Sequence, residues 1–400
     1  MLDTLPHGAW QTFYEDGKPC CNGSYDRGRK VGRWECKYRN GRVLSALEMD
    51  NGLNKNYFAD GKIEFEGNVK NGKKDGLWKW YHSNGKLKRS LAYVADEPEG
   101  AVGEFHENGT KSIEGRYAKG LKEDNFEWWY DNGKTEMKGP FVVDRREGRW
   151  QFYYKNGKLG SEGDFKNDRL TGSWTYYYEE TGTRWKEGGF AEGLRSGQWQ
   201  RWYEDGKPLS KGAFDGDKET GEWTSWHDNG KVKERGSFVS GKMNGLWEGW
   251  QEDGKQRFKN NLKEGAKHGL CELWYPNGLK QSEVNYTDGI MDGLSKEWHD
   301  NGVMKETGLF AKGVKEGLWK LWYPNGGPFQ EITYKDGKQE GLVKGLYENG
   351  TVWFITSYKD GRLHGTNTYM ERDGTVTFKA VYEQGRLTRT IVAQKQPEMK

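Results

Sequence analysis

Along residues 147–172 large rings and small residues alternate in a pattern with period two. Trp150, Phe152, Tyr153, Tyr154 and Phe165 are interrupted by Gly157, Gly160 and Gly163. Side chains of a strand point to alternate faces, so such a period predicts strands rather than helices. Folding the stretch at Asn156-Gly157 predicts Tyr154 opposite Leu159, Phe152 opposite Ser161, Trp150 opposite Gly163 and Gly148 opposite Phe165. Each large ring then lies over a small partner on one face. The other face carries Gln151, Tyr153, Lys155, Lys158, Glu162 and Asp164, polar apart from one aromatic.

The same pattern recurs down the chain. Glycines 17, 41, 61, 85, 109, 133, 157, 182, 206, 230, 254, 278, 302, 326, 350 and 374 mark sixteen turns, separated by 24 residues except for 20 before Gly61 and 25 before Gly182. Asn-Gly or Asp-Gly between aromatic-rich runs predicts a β-hairpin closed by a type I′ turn, with positive φ at both central residues. A second turn, seen in VKNGKKDG and FVSGKMNG, joins successive hairpins. The fold expected is all-β: an elongated, single-layer antiparallel β-meander of about 16 hairpin repeats. Roughly 32 strands at about 4.8 Å each would run about 150 Å, and shielding one apolar face would twist them into a superhelical, solenoid-like rod. The array is expected over residues 1–390, with a C-terminal tail at 391–400.

Two columns define the apolar face. One contains Trp10, Trp34, Trp78, Phe126, Trp150, Trp174, Trp199, Trp223, Trp247 and Trp319, and decays to Cys271, Ser295, Val343 and Asn367. The other contains Phe141, Phe165, Phe190, Phe214, Phe238, Phe310 and several tyrosines. Units such as GRWQFYYKNGKLGSEGDF and GLWKLWYPNGG resemble the bacterial variant of the MORN repeat, and the resemblance covers about residues 8–390. It implies a repeat scaffold. Among bacterial proteins of this kind it points to the YwqK-type antitoxins, which neutralise a toxin by binding it.

Composition fits an array better than a globule. Gly is 58 of 400 residues and Trp 20, while hydrophobic residues are only 33%, too few for a core of aliphatic side chains. With 63 basic and 60 acidic residues and no long run of one sign, a nucleic-acid partner is not implied. No run approaches a membrane span and no basic amphipathic helix is present, so membrane association gets no support. The chain enters its repeat without an apolar leader, which places it in the cytoplasm, or outside the cell if a leader has been removed. Cys20, Cys21, Cys36 and Cys271 form no CxxC pattern and are expected as reduced thiols.

Candidate chemistry is sparse. His82, His106, His227 and His299 stand where other units carry Tyr14, Tyr130, Tyr154 or Tyr275, and His7, His268 and His364 each precede a glycine. Histidines that merely vary a repeat position do not assemble a catalytic or metal site, so no enzyme, cofactor or metal is expected. On the polar face, however, the Tyr153 column becomes Trp202, Trp226, Trp250, Trp274, Trp298 and Trp322. Six consecutive tryptophans either pack between units or form a binding ladder, since contiguous exposed aromatics mark interaction surfaces. Three functions compete: a non-catalytic scaffold binding a protein partner, such as an antitoxin or immunity protein holding a toxin; a polysaccharide-binding aromatic ladder; and a structural protein that self-assembles through open sheet edges.

Overall fold

A computed structural model describes residues 5–393 as strands and tight turns, with 37 strands and no helix. Four of the strands, such as Arg145–Arg146, are two-residue pieces cut off by a bulge. The expected all-β meander is therefore what forms. Of the tail expected at 391–400, Ile391–Ala393 end the last strand, Arg386–Ala393, and the remainder lies outside the described residues. The chain divides into two compact units, one of residues up to Gly197 with Glu204–Gly206, the other of Gln198–Tyr203 with Lys207 onward.

In the first unit, Gly148–Tyr153 pairs antiparallel with Leu159–Lys166, which pairs in turn with Arg169–Tyr177. The register places Gly148 against Phe165, Trp150 against Gly163 and Phe152 against Ser161, as the alternation predicts. Tyr154 departs from the prediction. Tyr153 pairs with Leu159, and Tyr154 belongs to the turn, with its N–H bonded to the Lys158 carbonyl at 2.9 Å.

The turn at Asn156-Gly157 is also not the type I′ turn expected. At Lys155-Asn156-Gly157 only Gly157 has positive φ, and the Asn156 Oδ1 accepts the Lys158 N–H at 2.9 Å. This is a turn of αR residues closed by one αL glycine, which a side-chain cap can hold without twisting Asn156 itself. The type I′ geometry sits at the second turn instead, where Asn167 and Asp168 both have positive φ, 50° and 65°, between the paired Lys166 and Arg169.

Between hairpins the register breaks. Glu162 pairs with Thr175 and Asp164 with Thr171, so Gly163 alone faces the three residues Gly172, Ser173 and Trp174. Gly172, at φ 62°, makes this bulge, which carries the Trp174 ring across the preceding strand. A Cβ on Gly163 would lie inside that indole, and the Trp174 Nε1–H donates to the Asp164 carbonyl at 3.0 Å. The ring over a given glycine therefore belongs to the next repeat: Trp150 covers Gly139, although its cross-strand partner is Gly163. The expectation that Phe165 covers Gly148 also fails, because a side chain there would meet only Pro140. Phe165 instead stands edge-on between Trp150 and Trp174, with centroids at 6.0 and 5.2 Å.

The second unit repeats the arrangement with Trp223 over Gly212, Trp247 over Gly236 and Trp319 over Gly308. Where the tryptophan column decays, the residue beneath grows. Val284 lies under Ser295, Ile332 under Val343 and Thr356 under Asn367, and all six are buried. Ring plus glycine and two mid-sized residues fill similar volume, which close packing requires. One chain thus shows the same compensation several times.

The cysteine expectation is corrected. Cys21 and Cys36 are directly opposed across a hairpin, with Cα atoms 4.1 Å apart, and form a disulfide. A closely spaced antiparallel pair brings two side chains into bonding range, which spacing along the chain does not reveal. Cys20 and Cys271 are free.

Volume compensation gives a direct test. Gly163→Val should destabilise the first unit by about 1–3 kcal/mol through overpacking. In a Trp174→Ser background, which copies the Val284 and Ser295 pair, the same substitution should cost less than half as much. Urea unfolding of the four chains measures the coupling, and additive penalties would contradict the packing account.

Candidate functional site

Three ladders of side-chain to backbone hydrogen bonds determine which residues are available for anything else. At the hairpin tips, the Tyr130 hydroxyl donates to the Tyr153 carbonyl and the Tyr154 hydroxyl to the Tyr177 carbonyl, each at 2.8 Å. The histidines replace tyrosine in this role. His106 Nε2 meets the Trp129 carbonyl at 2.8 Å, and His227 and His299 meet the Trp250 and Trp322 carbonyls at 3.0 Å. A carbonyl only accepts, so each of these rings carries its proton on Nε2. His82 does the same to Phe105.

At the opposite end of the strands, the residue before many of the bulge glycines accepts from a backbone N–H of the following second turn. Glu147 Oε2 takes the Asn167 N–H at 2.9 Å, Glu316 the Asp336 N–H at 2.8 Å, and His268 Nδ1 the Asp288 N–H at 3.4 Å. The third ladder is the indole-to-carbonyl bond beside glycines covered by tryptophan, as with Trp34, Trp78, Trp150, Trp174, Trp223, Trp247 and Trp319. The histidines bonded in these ladders are thus engaged in holding turns. Among the described residues, no group of three or more His, Cys, Asp or Glu side chains is placed to hold a metal ion.

Trp202, Trp226, Trp250, Trp274, Trp298 and Trp322 lie in the second unit, and all six are half-buried. Several are constrained. The Trp226 and Trp298 carbonyls accept the Tyr203 and Tyr275 hydroxyls at 2.8 Å. Cations cover some of the rings: the Arg235 guanidinium is 5.1 Å from the Trp250 centroid, and the Lys280 ammonium is 5.2 Å from Trp274 and 6.0 Å from Trp298.

Those cations belong to an ion-pair row beside the tryptophans. Glu248 Oε2 accepts from Arg235 Nε at 2.8 Å and Nη2 at 2.7 Å, while Lys259 lies 3.4 Å from its other oxygen. Burial alone would push the Glu248 carboxyl up, but Arg235 and Lys259 outweigh it and hold the group below its usual range. Lys280 bridges Glu272 and Glu283. A shallow groove of about 310 Å³ opens here, lined by Thr224, Arg235, Leu246 and Glu248 among others.

The most exposed apolar feature of this face was not singled out from sequence. Leu246, Leu270, Leu294, Leu318 and Leu342 follow one another at 24-residue intervals and are 37–69% exposed, and Leu309, opposite Leu294, is exposed as well. Each follows a bulge glycine and precedes the covered column, so it points away from the core that buries Trp247, Cys271, Ser295, Trp319 and Val343. In the first unit the corresponding positions include Asn125, Arg149 and Ser173. The signal was legible as a leucine one residue before five successive column positions, Trp247, Cys271, Ser295, Trp319 and Val343, but periodicity alone does not tell a surface leucine from a buried one.

Two outcomes follow from this geometry. Glu248 ionises at lower pH folded than unfolded, so its stabilising contribution is present above about pH 4.3 and is lost as pH falls through the lower folded value. Glu248→Gln should flatten the acid limb of the urea midpoint against pH, and an unchanged limb would remove Glu248 from the account. His106→Gln should keep a donor to the Trp129 carbonyl, while His106→Leu should lose about 0.5–1.5 kcal/mol. Nitrogen NMR of His106 should show the Nε2–H tautomer.

Comparison with known proteins is consistent with these repeats. No curated protein matches the chain. Among solved structures, a TcdB2-TccC3 crystal structure is similar at 10% identity over 100% of this chain and 24% of its own, with a TM-score of 0.16. The Photorhabdus luminescens Tc holotoxin pore gives 10% identity over 96% and 25%, also with a TM-score of 0.16. The chain thus spans about a quarter of those chains, at scores that establish no correspondence of fold. The family described as MORN repeat variant matches residues 6–26, 50–71, 74–95, 146–167, 195–215, 219–240, 267–288, 291–312, 315–336 and 339–360. With more than half its length matched, the chain belongs to the MORN repeat variant family.

Proposed function

We propose that this protein is a non-catalytic scaffold that binds a protein partner on the leucine-bearing face of its second unit. The observation that carries the reading is the row Leu246, Leu270, Leu294, Leu318 and Leu342, exposed at successive 24-residue intervals. A regular row of exposed apolar side chains with charges beside it suits an interaction surface, whereas isolated exposed ones are ordinary. The row Trp202, Trp226, Trp250, Trp274, Trp298 and Trp322 runs parallel to it on the same face and would form its second wall, with the Glu248, Glu272, Lys296 and Lys320 column between. An antitoxin or immunity protein holding its toxin is one form of this reading, supported by the resemblance of the repeats to YwqK-type antitoxins.

The polysaccharide reading fits less well. A sugar ring needs a free indole face, and Arg235 and Lys280 lie over Trp250, Trp274 and Trp298. Leucine offers a sugar neither stacking nor hydrogen bonds, while it is an ordinary component of protein surfaces that associate.

A photo-crosslinking residue at position 318, expressed in the native host, should yield a discrete protein adduct. The same residue at position 173, the equivalent and exposed position of the first unit, should not. Absence of an adduct at 318, or identical adducts at both positions, would count decisively against the proposal.

A further inference from the structure

Independently of the partner-binding reading, the start of the first unit holds three cysteines together. Cys21 lies on Pro19–Asp26 and Cys36 on Arg29–Lys37, and their disulfide ties the two strands to each other. Cys20 is a free thiol whose Sγ lies 3.8 Å from the Cys21 Sγ. Adjacent residues of a regular strand point to opposite faces, so two such sulfurs should not meet.

A bulge brings them together. Thr12 pairs with Cys21 and Phe13 with Pro19, so Cys20 is the extra residue, with no partner across the hairpin. An unpaired bulge residue is released from the alternation of the strand, and its side chain can be aimed toward that of its neighbour. The same release favours bond formation. Two adjacent cysteines can be joined only if the backbone between them leaves the extended conformation, and Cys20 pairs with neither flanking strand, so it can do this without breaking a ladder.

The staple is not required by the architecture. In later repeats the positions of Cys21 and Cys36 are taken by Ser161 and Tyr176, by Ser210 and Ser225, and by Ser282 and Glu297, which pair across the same strands without a covalent bond. The Trp34 indole also joins these strands, since it lies over Gly23 and donates to the Ser24 carbonyl at 3.1 Å. Opening the disulfide therefore leaves the strands paired. Cys20, Cys21 and Cys36 are only half-buried, and their chain neighbours Pro19 and Lys37 line a shallow depression of about 360 Å³, so protons can exchange with solvent.

Disulfide exchange proceeds by attack of a thiolate on one sulfur of the bond, and a nucleophile already held beside that sulfur needs no encounter. We propose that Cys20 is the nucleophile of an internal thiol–disulfide exchange that opens the Cys21–Cys36 staple and transfers the free thiol to Cys36. Cys20 gives its thiol proton to solvent, and the thiolate forms a bond to the Cys21 Sγ. The Cys21–Cys36 bond breaks, and Cys36 departs as a thiolate that takes up a proton. One disulfide and one thiol are present before and after, so no oxidant or reductant is consumed. The first unit thus exchanges between two isomers, one stapled between strands and one closed locally within the bulge.

The test uses the full chain, purified without reductant and held in mildly alkaline buffer. Exchange is stopped with acid, the chain is unfolded in acid with N-ethylmaleimide, and peptic peptides are read by mass spectrometry. Maleimide is expected on Cys20 in some molecules and on Cys36 in others, in proportions independent of protein concentration. Cys20→Ser should lower labelling of Cys36 at least about tenfold while the Cys21–Cys36 bond persists. Circular dichroism should show this variant folded, since Gly160 occupies the same unpaired position of a later hairpin. Maleimide confined to Cys20 would overturn the proposal, as would maleimide on Cys21, which would make Cys36 the sulfur attacked. Labelling of Cys36 that rises with protein concentration would place the exchange between molecules, and labelling of all three cysteines would remove the staple itself; either result overturns it. Unchanged labelling of Cys36 in Cys20→Ser would do the same.

Discussion

The contact on which the structure depends is an indole laid flat on a glycine of the preceding strand. It solves a problem particular to a meander of short hairpins, which has few aliphatic side chains with which to build a core. Trp174 takes up the space that any side chain on Gly163 would need, and its N–H satisfies the Asp164 carbonyl. Buried apolar area and a buried polar group are thus handled by one residue, in keeping with the rule that an enclosed indole N–H finds a partner. The bulge at Gly172 is the necessary accessory, since without the extra residues Trp174 would stay over its own strand.

Everything else on that face is arranged around this contact. Phenylalanines stand edge-on between successive indoles, and cations such as Lys315, 3.7 Å from the Trp319 centroid, cover the outer rim. Where tryptophan is absent, a larger residue beneath restores the volume, as with Ile332 under Val343. The quantity maintained along the repeat is therefore the filled space between adjacent strands, and residue identity is free to vary around it. The tip ladder works in the same way, because tyrosine and histidine exchange freely where either can donate to the carbonyl of the next tip.

Because core and turns are secured by one face and the two strand ends, the opposite face of each unit is left to vary. In the first unit the position after the bulge glycine is mixed, with Leu77 and Ala101 beside Asn125, Arg149 and Ser173. In the second it carries leucine at that position five times in succession. Nothing in the packing described above requires these leucines, since the same position tolerates arginine, asparagine and serine. This freedom is why the row is more informative about binding than the tryptophans beside it, whose rings are partly covered and whose carbonyls are partly committed to the tip ladder.

The sequence by itself determined the period, the hairpins, the two faces and the pairing of Trp150 with Gly163, because alternation and turn residues act locally and repeat sixteen times. It also identified the histidines as variants of a repeat position. Only the tertiary structure decided which ring covers which glycine, because that depends on a bulge that shifts one hairpin against the next and leaves no trace in the alternation. The same holds for the turn types, which are set by whether Asn156 caps the turn with its side chain, and for the Cys21–Cys36 disulfide, set by direct opposition across a hairpin. Exposure was the last quantity withheld. Leu318 and Trp319 are adjacent and both apolar, yet one is 48% exposed and the other fully buried, because neighbouring side chains of a strand face opposite sides and only one side holds the core.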